Sequence, residues 1–294
     1  MTNEKWEELN NDSSKPLYNR FIQSYCPGST FKPITGAIGL ETGKITSNDT
    51  FNYSGLSWQK DSSWGDYKVT TLTAYNGPKN LQNAMIHSDN IYFAQAALKI
   101  GTSDFISNLD KIGFNEQISF PLSLAKSKYS NSDKNTIESD GKLADSGFGQ
   151  GNILVNPIHM ASIYSSFANN GNMIKPYIEF KENAKGEVFK QSVFSNETAN
   201  TIKEALIQVV ENAEGTANDM KISGMTIAGK TGTAELKQDK SDNNSGTLGW
   251  FDCFTIKNDV KDNLLVISMV ENTQNNSSGG SHYLIKKIRN LFNQ

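Results

Sequence analysis

A serine and a lysine that could work together lie near the beginning of the chain. Ser29 and Lys32 are three residues apart at the start of a predicted helix, residues 29–40, so their side chains should share one face. A serine hydroxyl becomes a useful nucleophile when a neighbour takes its proton, and a lysine can do so when burial or positive charge disfavours its ammonium form. The pair indicates acyl transfer through serine, although Ser-x-x-Lys also occurs by chance in many chains.

A second polar cluster is Ser88-Asp89-Asn90, within a segment of helical periodicity over residues 80–99. Ser88 could relay a proton to a leaving group, and Asn90 could hydrogen-bond a substrate backbone. A loop or a helix cap would explain the same three residues.

A third cluster, Lys230-Thr231-Gly232-Thr233, lies in a predicted strand. Glycine weakens a strand interior unless another backbone must come close. A substrate chain that pairs with a sheet edge is such a case, and the lysine and hydroxyls would then hold a terminal carboxylate. A solvated strand with a glycine bulge is the alternative interpretation.

The order Ser-x-x-Lys, Ser-Asp-Asn, Lys-Thr-Gly is the set shared by serine β-lactamases and penicillin-binding proteins. Residues 25–33 and 228–234 resemble the extended signatures of the penicillin-binding proteins. Residues 55–61, 143–151 and 249–251 resemble the class B, low-affinity, methicillin-resistance type in particular. The resemblance covers most of the chain.

The resemblance implies a peptidoglycan D,D-transpeptidase that acts on stem peptides ending in D-Ala-D-Ala and is acylated by β-lactam antibiotics. Backbone N–H groups of Ser29 and Thr233 would form its oxyanion hole. By motif match, the residues with a role are the nucleophile Ser29, its base Lys32, the proton relay Ser88, the substrate contact Asn90, the carboxylate-binding Lys230, Thr231 and Thr233, and the substrate-binding Gly232.

The base needs a lowered pKa, since a free lysine titrates near 10.4. Two causes are available, namely burial under the apolar helix face and repulsion from Lys230 across the cleft. A carboxylate at Asp89 would oppose the shift if it faced Lys32, so we expect it to point away.

The order of elements predicts an α+β fold of the penicillin-binding-protein and serine β-lactamase kind, an antiparallel sheet covered by helices beside a mostly helical lobe, with the site in the cleft between them. Asn156-Pro157 and Ser195 predict helix starts, and residues 283–292 a closing helix. Residues 176–190 predict a hairpin turning at 183–186, and residues 224–236, 249–257 and 264–271 predict strands. The α/β lobe should comprise about residues 1–45 and 170–294, and the helical lobe about 46–169.

Composition argues against several other classes. There are 28 Lys and Arg against 31 Asp and Glu, a formal charge of -3, which gives no electrostatic reason to expect nucleic acid. The 3 histidines and 2 cysteines have no metal-ligand spacing, and no cofactor is expected. Cys26, three residues before Ser29, should be a buried structural residue rather than a second nucleophile.

The first residues show no signal peptide. By the resemblance, we expect an N-terminal membrane anchor and a pedestal domain outside this sequence. The enzyme would then work at the extracytoplasmic face of the bacterial membrane, with cell-wall synthesis partners.

Two alternatives stay open. A serine β-lactamase needs a second base to hydrolyse the acyl-enzyme, and class A enzymes use a Glu four residues before an Asn. Glu179 with Asn183 and Glu214 with Asn218 have that spacing, but neither lies in a convincing context. A β-lactam sensor domain would be acylated once and would signal, and only the full-length gene product separates it from a transpeptidase.

Overall fold

The computed structural model describes residues 1–132, 135–179, 182, 185–235, 246–256, 263–273 and 279–292. Its helices, in chain order, are α1 (Asn3–Asn11), α2 (Lys32–Glu41), α3 (Leu81–Ile86), α4 (Asn90–Ile100), α5 (Thr102–Lys111), α6 (Asp140–Gly147), α7 (Pro157–Ala168), α8 (Asn196–Glu211) and α9 (Gly280–Phe292). Within these ranges, no helix is long and apolar enough to cross a membrane.

The strands form one larger sheet and two short pairs. Their bounds are β1 (Ser57–Trp58), β2 (Val69–Thr70), β3 (Met173–Ile174), β4 (Val188–Lys190), β5 (Ile227–Glu235), β6 (Thr247–Thr255) and β7 (Leu265–Val270). β5, β6 and β7 pair in that order and are antiparallel, while β1 pairs with β2 and β3 with β4. β5 therefore lies at an edge of the larger sheet, where its register places Lys230 opposite Asp252 and Thr233 opposite Gly249.

Helices cover the larger sheet and contribute to the hydrophobic core that packs against it. α8 contacts β5, α9 contacts β5 and β6, and α7 contacts β7, while α2 packs against both α4 and α8. Along α2, residues 32–39 are all buried, among them the apolar Ile34, Ala37 and Ile38 at 0% exposure. Because α2 is enclosed, a polar side chain at its start is removed from water.

Several predicted elements agree with the structure. α7 begins after Asn156, whose side chain accepts from two backbone N–H groups, and Pro157 occupies its first turn. Ser195 caps α8 in the same way, and β5, β6, β7 and α9 lie where strands and a helix were expected. The predicted turn at 183–186 and the strand ends at 236 and 257 lie wholly or partly outside the described residues.

Two segments with helical periodicity are not single continuous helices. Residues 29–40 begin as a 3-10 turn, Gly28–Phe31, before α2 starts at Lys32. Residues 80–99 are two helices, because the backbone of Ser88 adopts φ +54 and ends α3 before Asp89 caps α4. Both breaks fall at residues that the sequence motifs had singled out.

Candidate active site

The Ser29 hydroxyl lies against the Lys32 amine. In a 3-10 turn, side chains at i and i+3 eclipse each other more closely than in an α-helix. The Nζ atom of Lys32 accordingly lies 2.9 Å from the Oγ atom of Ser29. Ser29 is partly exposed, whereas Lys32 is fully buried, so the hydroxyl can meet a substrate while the amine stays dry.

The other contacts of Lys32 leave room for a free lone pair. Its Nζ donates to the carbonyl oxygen of Ser88 at 2.5 Å and to Oδ1 of Asn90 at 2.7 Å, and both oxygens can only accept. A neutral amine has two N–H groups and one lone pair. With both N–H groups used on these acceptors, the lone pair is left for the proton of Ser29.

The pKa of Lys32 is lowered well below its usual value. Burial is the largest cause, and repulsion from Lys230 adds to it, as expected from the sequence. The charge of Asp89 acts in the opposite direction and raises the pKa. The balance favours the neutral amine that a general base requires.

The carboxyl group of Asp89 bonds to the start of α4 and to Tyr53 rather than to Lys32, but contrary to expectation its charge still opposes the lowered pKa of Lys32. Its Oδ1 accepts from the backbone N–H groups of Ile91 at 2.9 Å and Tyr92 at 3.4 Å, which caps α4. Its Oδ2 accepts from the hydroxyl of Tyr53. The carboxylate is fully buried, so its field still reaches Lys32 although the two side chains do not bond.

Ser88 occupies a backbone position that usually belongs to glycine. The N–H of Ser88 donates to the carbonyl of Met85 and the N–H of Asp89 to that of Ala84, which is a Schellman motif with Ser88 in the left-handed conformation. The arrangement holds the Ser88 Oγ 3.0 Å from Nζ of Lys32 and 2.8 Å from Nζ of Lys230. Backbone strain at this residue thus places one hydroxyl between two amines.

Asn90 links the base to a neighbouring strand. Its Oδ1 accepts from Lys32, and its Nδ2 donates to the carbonyl oxygen of Thr70 on β2 at 2.8 Å. One Nδ2 hydrogen remains for another acceptor, so the amide holds Lys32 and can still meet a substrate.

Lys230 reaches the site from β5. It is fully buried, and burial lowers its pKa to about 7. Its Nζ donates to Oγ of Ser88 and, at 3.1 Å, to the carbonyl oxygen of Thr231. Its charge is therefore easily gained or lost near neutral pH.

The two threonines of the same strand differ. Thr233 is exposed, whereas Thr231 is buried and its Oγ1 donates to Oγ1 of Thr216 at 2.8 Å. Gly232 lies against the turn of the nucleophile, because a Cβ atom there would be 2.9 Å from Cγ2 of Thr30. The structure thus leaves the Thr233 side chain exposed and uses the hydroxyl of Thr231 internally.

Sequence reasoning missed the residues that support the motifs from the segment before α3. Tyr53 bonds to Asp89, Thr70 to Asn90, and the ring of Tyr75 stacks on that of His87 at 4.1 Å between centroids. This segment lacks periodicity, so only its tyrosines, whose hydroxyls seek partners when buried, hinted at such contacts.

Cys26 and Gly149 support the nucleophile turn, which is the 3-10 turn Gly28–Phe31 that carries Ser29. The N–H of Gly28 donates to the carbonyl oxygen of Gly149 at 3.0 Å. Burial raises the pKa of Cys26 to about 11, and its thiol donates to Gly149, so the thiolate that a nucleophile would need is disfavoured. Among the described residues, no group of three His, Cys, Asp or Glu side chains could hold a metal ion.

The sequence matches a known family along nearly its whole length. Residues 1–290 match the model of the penicillin binding protein transpeptidase domain. Penicillin-binding protein 3 of Bacillus subtilis is 40% identical over 291 residues, which are 99% of this chain and 42% of that protein. The peptidoglycan D,D-transpeptidase MrdA of Haemophilus influenzae is 25% identical over 322 residues, 100% of this chain and 48% of that protein. The chain thus spans less than half the length of these relatives.

Solved structures show the same fold. The D,D-transpeptidase domain of a peptidoglycan glycosyltransferase from Eggerthella lenta has a TM-score of 0.76 at 26% identity, over 99% of this chain and 70% of that one. Penicillin-binding protein A from M. tuberculosis, solved as a ceftriaxone acyl-enzyme complex, has a TM-score of 0.80 at 22% identity, over 99% and 65%. These likenesses confirm the predicted α+β fold.

Proposed function

Because the chain belongs to the penicillin-binding protein transpeptidase domain family, we propose that it is the catalytic domain of a serine-type peptidoglycan D,D-transpeptidase. Its substrates are stem peptides ending in D-Ala-D-Ala, and β-lactam antibiotics acylate the same serine. The observation that carries this proposal is the 2.9 Å contact between Ser29 Oγ and the buried amine of Lys32.

In the first step, Oγ of Ser29 attacks the carbonyl carbon of the penultimate D-Ala, and its proton passes to Nζ of Lys32. Backbone N–H groups of Ser29 and Thr233 hold the oxyanion that forms on the carbonyl oxygen. This role is supported by the close packing of the nucleophile turn on β5.

In the second step, the carbon–nitrogen bond breaks and the terminal D-Ala leaves. Its nitrogen takes the proton of the Ser88 hydroxyl, and Lys32 returns the proton to Ser88 over their 3.0 Å contact. An acceptor amine then attacks the ester, loses its proton by the same route, and leaves Ser29 with its hydroxyl restored.

Carboxylate recognition falls to β5. Lys230, in its charged form, and the exposed hydroxyl of Thr233 bind the terminal carboxylate, which in turn favours the ammonium form of Lys230. Gly232 lets the strand lie close to the nucleophile turn, Thr231 is held by its bond to Thr216, and the second Nδ2 hydrogen of Asn90 binds the substrate amide.

The low-affinity, methicillin-resistance type is a finer proposal, supported by residues 55–61, 143–151 and 249–251. Penicillin should then acylate this chain more slowly than it acylates the Haemophilus influenzae relative. We also propose that the domain has two lobes, an α/β lobe of about residues 1–45 and 170–294 and a helical lobe of about residues 46–169. An N-terminal anchor would hold the enzyme at the outer face of the membrane, where it would work with cell-wall synthesis partners.

The proposal is tested by mass spectrometry of the protein after incubation with penicillin G. We expect one adduct, mapped to the peptide that contains Ser29 and absent from Ser29→Ala. An adduct that persists in Ser29→Ala, or that maps to Cys26, contradicts the assignment.

A further inference from the structure

Asp252 is a buried acid behind the nucleophile, and the mechanism above does not use it. It lies on β6, the middle strand of the larger sheet, and is 0% exposed. Neither of its carboxyl oxygens makes a hydrogen bond within the described structure. Proteins seldom leave a buried polar group in that state, so the residue calls for an explanation.

Among the residues that the structure describes, no cation is bonded to the carboxyl group of Asp252. Lys230 is its register partner and projects from the same face of the sheet, but the Lys230 amine is bonded to Ser88 and Thr231. Burial alone accounts for the lowered pKa of Lys230, with no opposing carboxylate. An ionised Asp252 would be a lone buried charge, which is far more costly than a buried neutral acid.

The titratable groups that respond to Asp252, Tyr164 and Cys253, are uncharged. Thr30 lies against the face of the sheet that carries Asp252, because Gly232 shares that face with Lys230 and a Cβ atom on Gly232 would be 2.9 Å from Cγ2 of Thr30. Tyr164 and Cys253 are titratable groups close enough for their pKa values to respond to a charge on Asp252. Burial raises the pKa of both Tyr164 and Cys253, which keeps them uncharged. Burial likewise raises the pKa of Asp252 well above its usual value, against the smaller effects of Ser268 and Thr30.

Thr30 offers a protonated acid an acceptor. Its Oγ1 already donates its own hydrogen to the carbonyl oxygen of Pro27 at 3.0 Å, so the lone pairs of Oγ1 remain free. Its backbone carbonyl accepts from the buried hydroxyl of Tyr164 at 2.7 Å. Thr30 directly follows the nucleophile Ser29 in the 3-10 turn.

We infer that Asp252 carries its proton and donates it in a hydrogen bond to the Thr30 hydroxyl, and so acts as a positioning residue for Ser29. Asp252 then donates to Thr30, and Thr30 donates to the carbonyl oxygen of Pro27. These two hydrogen bonds hold the 3-10 turn Gly28–Phe31 in place. The hydroxyl of Tyr164 also holds this turn, because it donates to the backbone carbonyl of Thr30. Because acylation depends on the nucleophile standing within a fraction of an ångström of its productive position, loosening this brace slows the reaction.

This inference rests on the proposed function, so the experiment separates the two. The second-order acylation rate with a fluorescent penicillin and the melting temperature are measured for the parent, Asp252→Asn and Asp252→Val. Asparagine keeps a donor of similar volume, so we expect close to the parental rate. Valine removes the donor, so we expect acylation at least about tenfold slower.

Stability should move differently from activity. Valine loses the hydrogen bond to Thr30 but also removes the cost of burying a carboxyl group, so Asp252→Val should melt close to the parental temperature. Cys253→Ala, which alters the other face of the same strand, is the matched control and should acylate at the parental rate. Equal acylation rates for Asp252→Val and the parent would overturn the inference while leaving the proposed function intact.

Two further measurements cover a valine variant that fails to fold. Thr30→Val removes the acceptor and should slow acylation about as much as Asp252→Val, and adding Asp252→Val to Thr30→Val should slow acylation no further. Infrared difference spectra of the parent and Asp252→Asn should contain the carbonyl band of a protonated acid at neutral pH, a readout independent of acylation. A carboxylate band in its place would overturn the inference.

Discussion

The backbone of Gly28 lies directly against the carbonyl oxygen of Thr233: a Cβ atom on Gly28 would be 2.4 Å from that oxygen. Gly28 also has φ +53, a conformation that other residues adopt at a cost. The turn that presents Ser29 and the strand that carries Thr233 can therefore be this close only with glycine at position 28. Both proposed oxyanion donors depend on this contact.

Gly28→Ala should for this reason abolish acylation and destabilise the fold by more than the roughly 1–2 kcal/mol that a left-handed backbone conformation alone costs. Gly43→Ala is the matched control, because Gly43 has φ +65 but nothing within 4 Å of a Cβ atom. Gly43→Ala should lose only the stability that the left-handed backbone conformation costs, and it should acylate at the parental rate. Equal effects of the two substitutions on unfolding and acylation would show that the contact with Thr233 is unimportant.

Ser88 should separate backbone strain from chemistry. Ser88→Gly and Ser88→Ala both remove the hydroxyl, but only glycine relieves the left-handed conformation at φ +54. We expect Ser88→Gly to be more stable than Ser88→Ala by about 1 kcal/mol in denaturant unfolding, while both acylate far more slowly than the parent. If Ser88→Gly acylated like the parent, the proton relay would be excluded.

The sequence anticipated the motifs and most elements, but not the exact form of the turns that hold them. Hydrophobic periodicity located α7, α8 and the strands because it reports which face is buried. It could not reveal the break at Ser88, since a serine in the left-handed conformation is a local exception held by the surroundings. The contacts of Tyr53 and Thr70 join residues distant in sequence, which no local pattern encodes.

The pH dependence of acylation should reflect both lysines. Acylation rises with pH as Lys32 loses its proton, at a pH below the usual lysine range because its pKa is lowered. With a carboxylate-bearing β-lactam the acylation rate falls again as Lys230 becomes neutral. The pKa of Lys230 is about 7 in the unbound enzyme and rises once the carboxylate binds. A bell-shaped profile is the expected result of rate measurements across this range.

Asp89→Asn should shift the rising limb to lower pH, because it removes the negative charge that raises the pKa of Lys32. The asparagine oxygen can still cap α4, so the fold should survive. Asp49→Asn, which removes a carboxylate from a surface pair with Lys99, is the control and should leave the profile in place. A shift to higher pH in Asp89→Asn would contradict the electrostatic account.

The acyl-enzyme should persist for hours. Of the acids considered for deacylation, Glu214 has a side chain that is 76% exposed and lies 3.8 Å from His87, so burial does not fix its carboxylate in place. Glu214→Gln should therefore leave the slow decay of the penicillin adduct unchanged when it is followed by mass spectrometry. Rapid turnover of a chromogenic cephalosporin that Glu214→Gln abolished would indicate a β-lactamase.

The central claim is that the neutral amine of Lys32 takes the proton of Ser29, and the acylation rate of Lys32→Met tests it most directly. Methionine keeps the length of the side chain and removes a buried amine, so the variant should fold with a melting temperature no lower than the parent's. We expect acylation by penicillin to be slower by about 10²-fold or more, the usual scale for loss of a general base. A folded Lys32→Met protein that acylates at close to the parental rate would contradict the account.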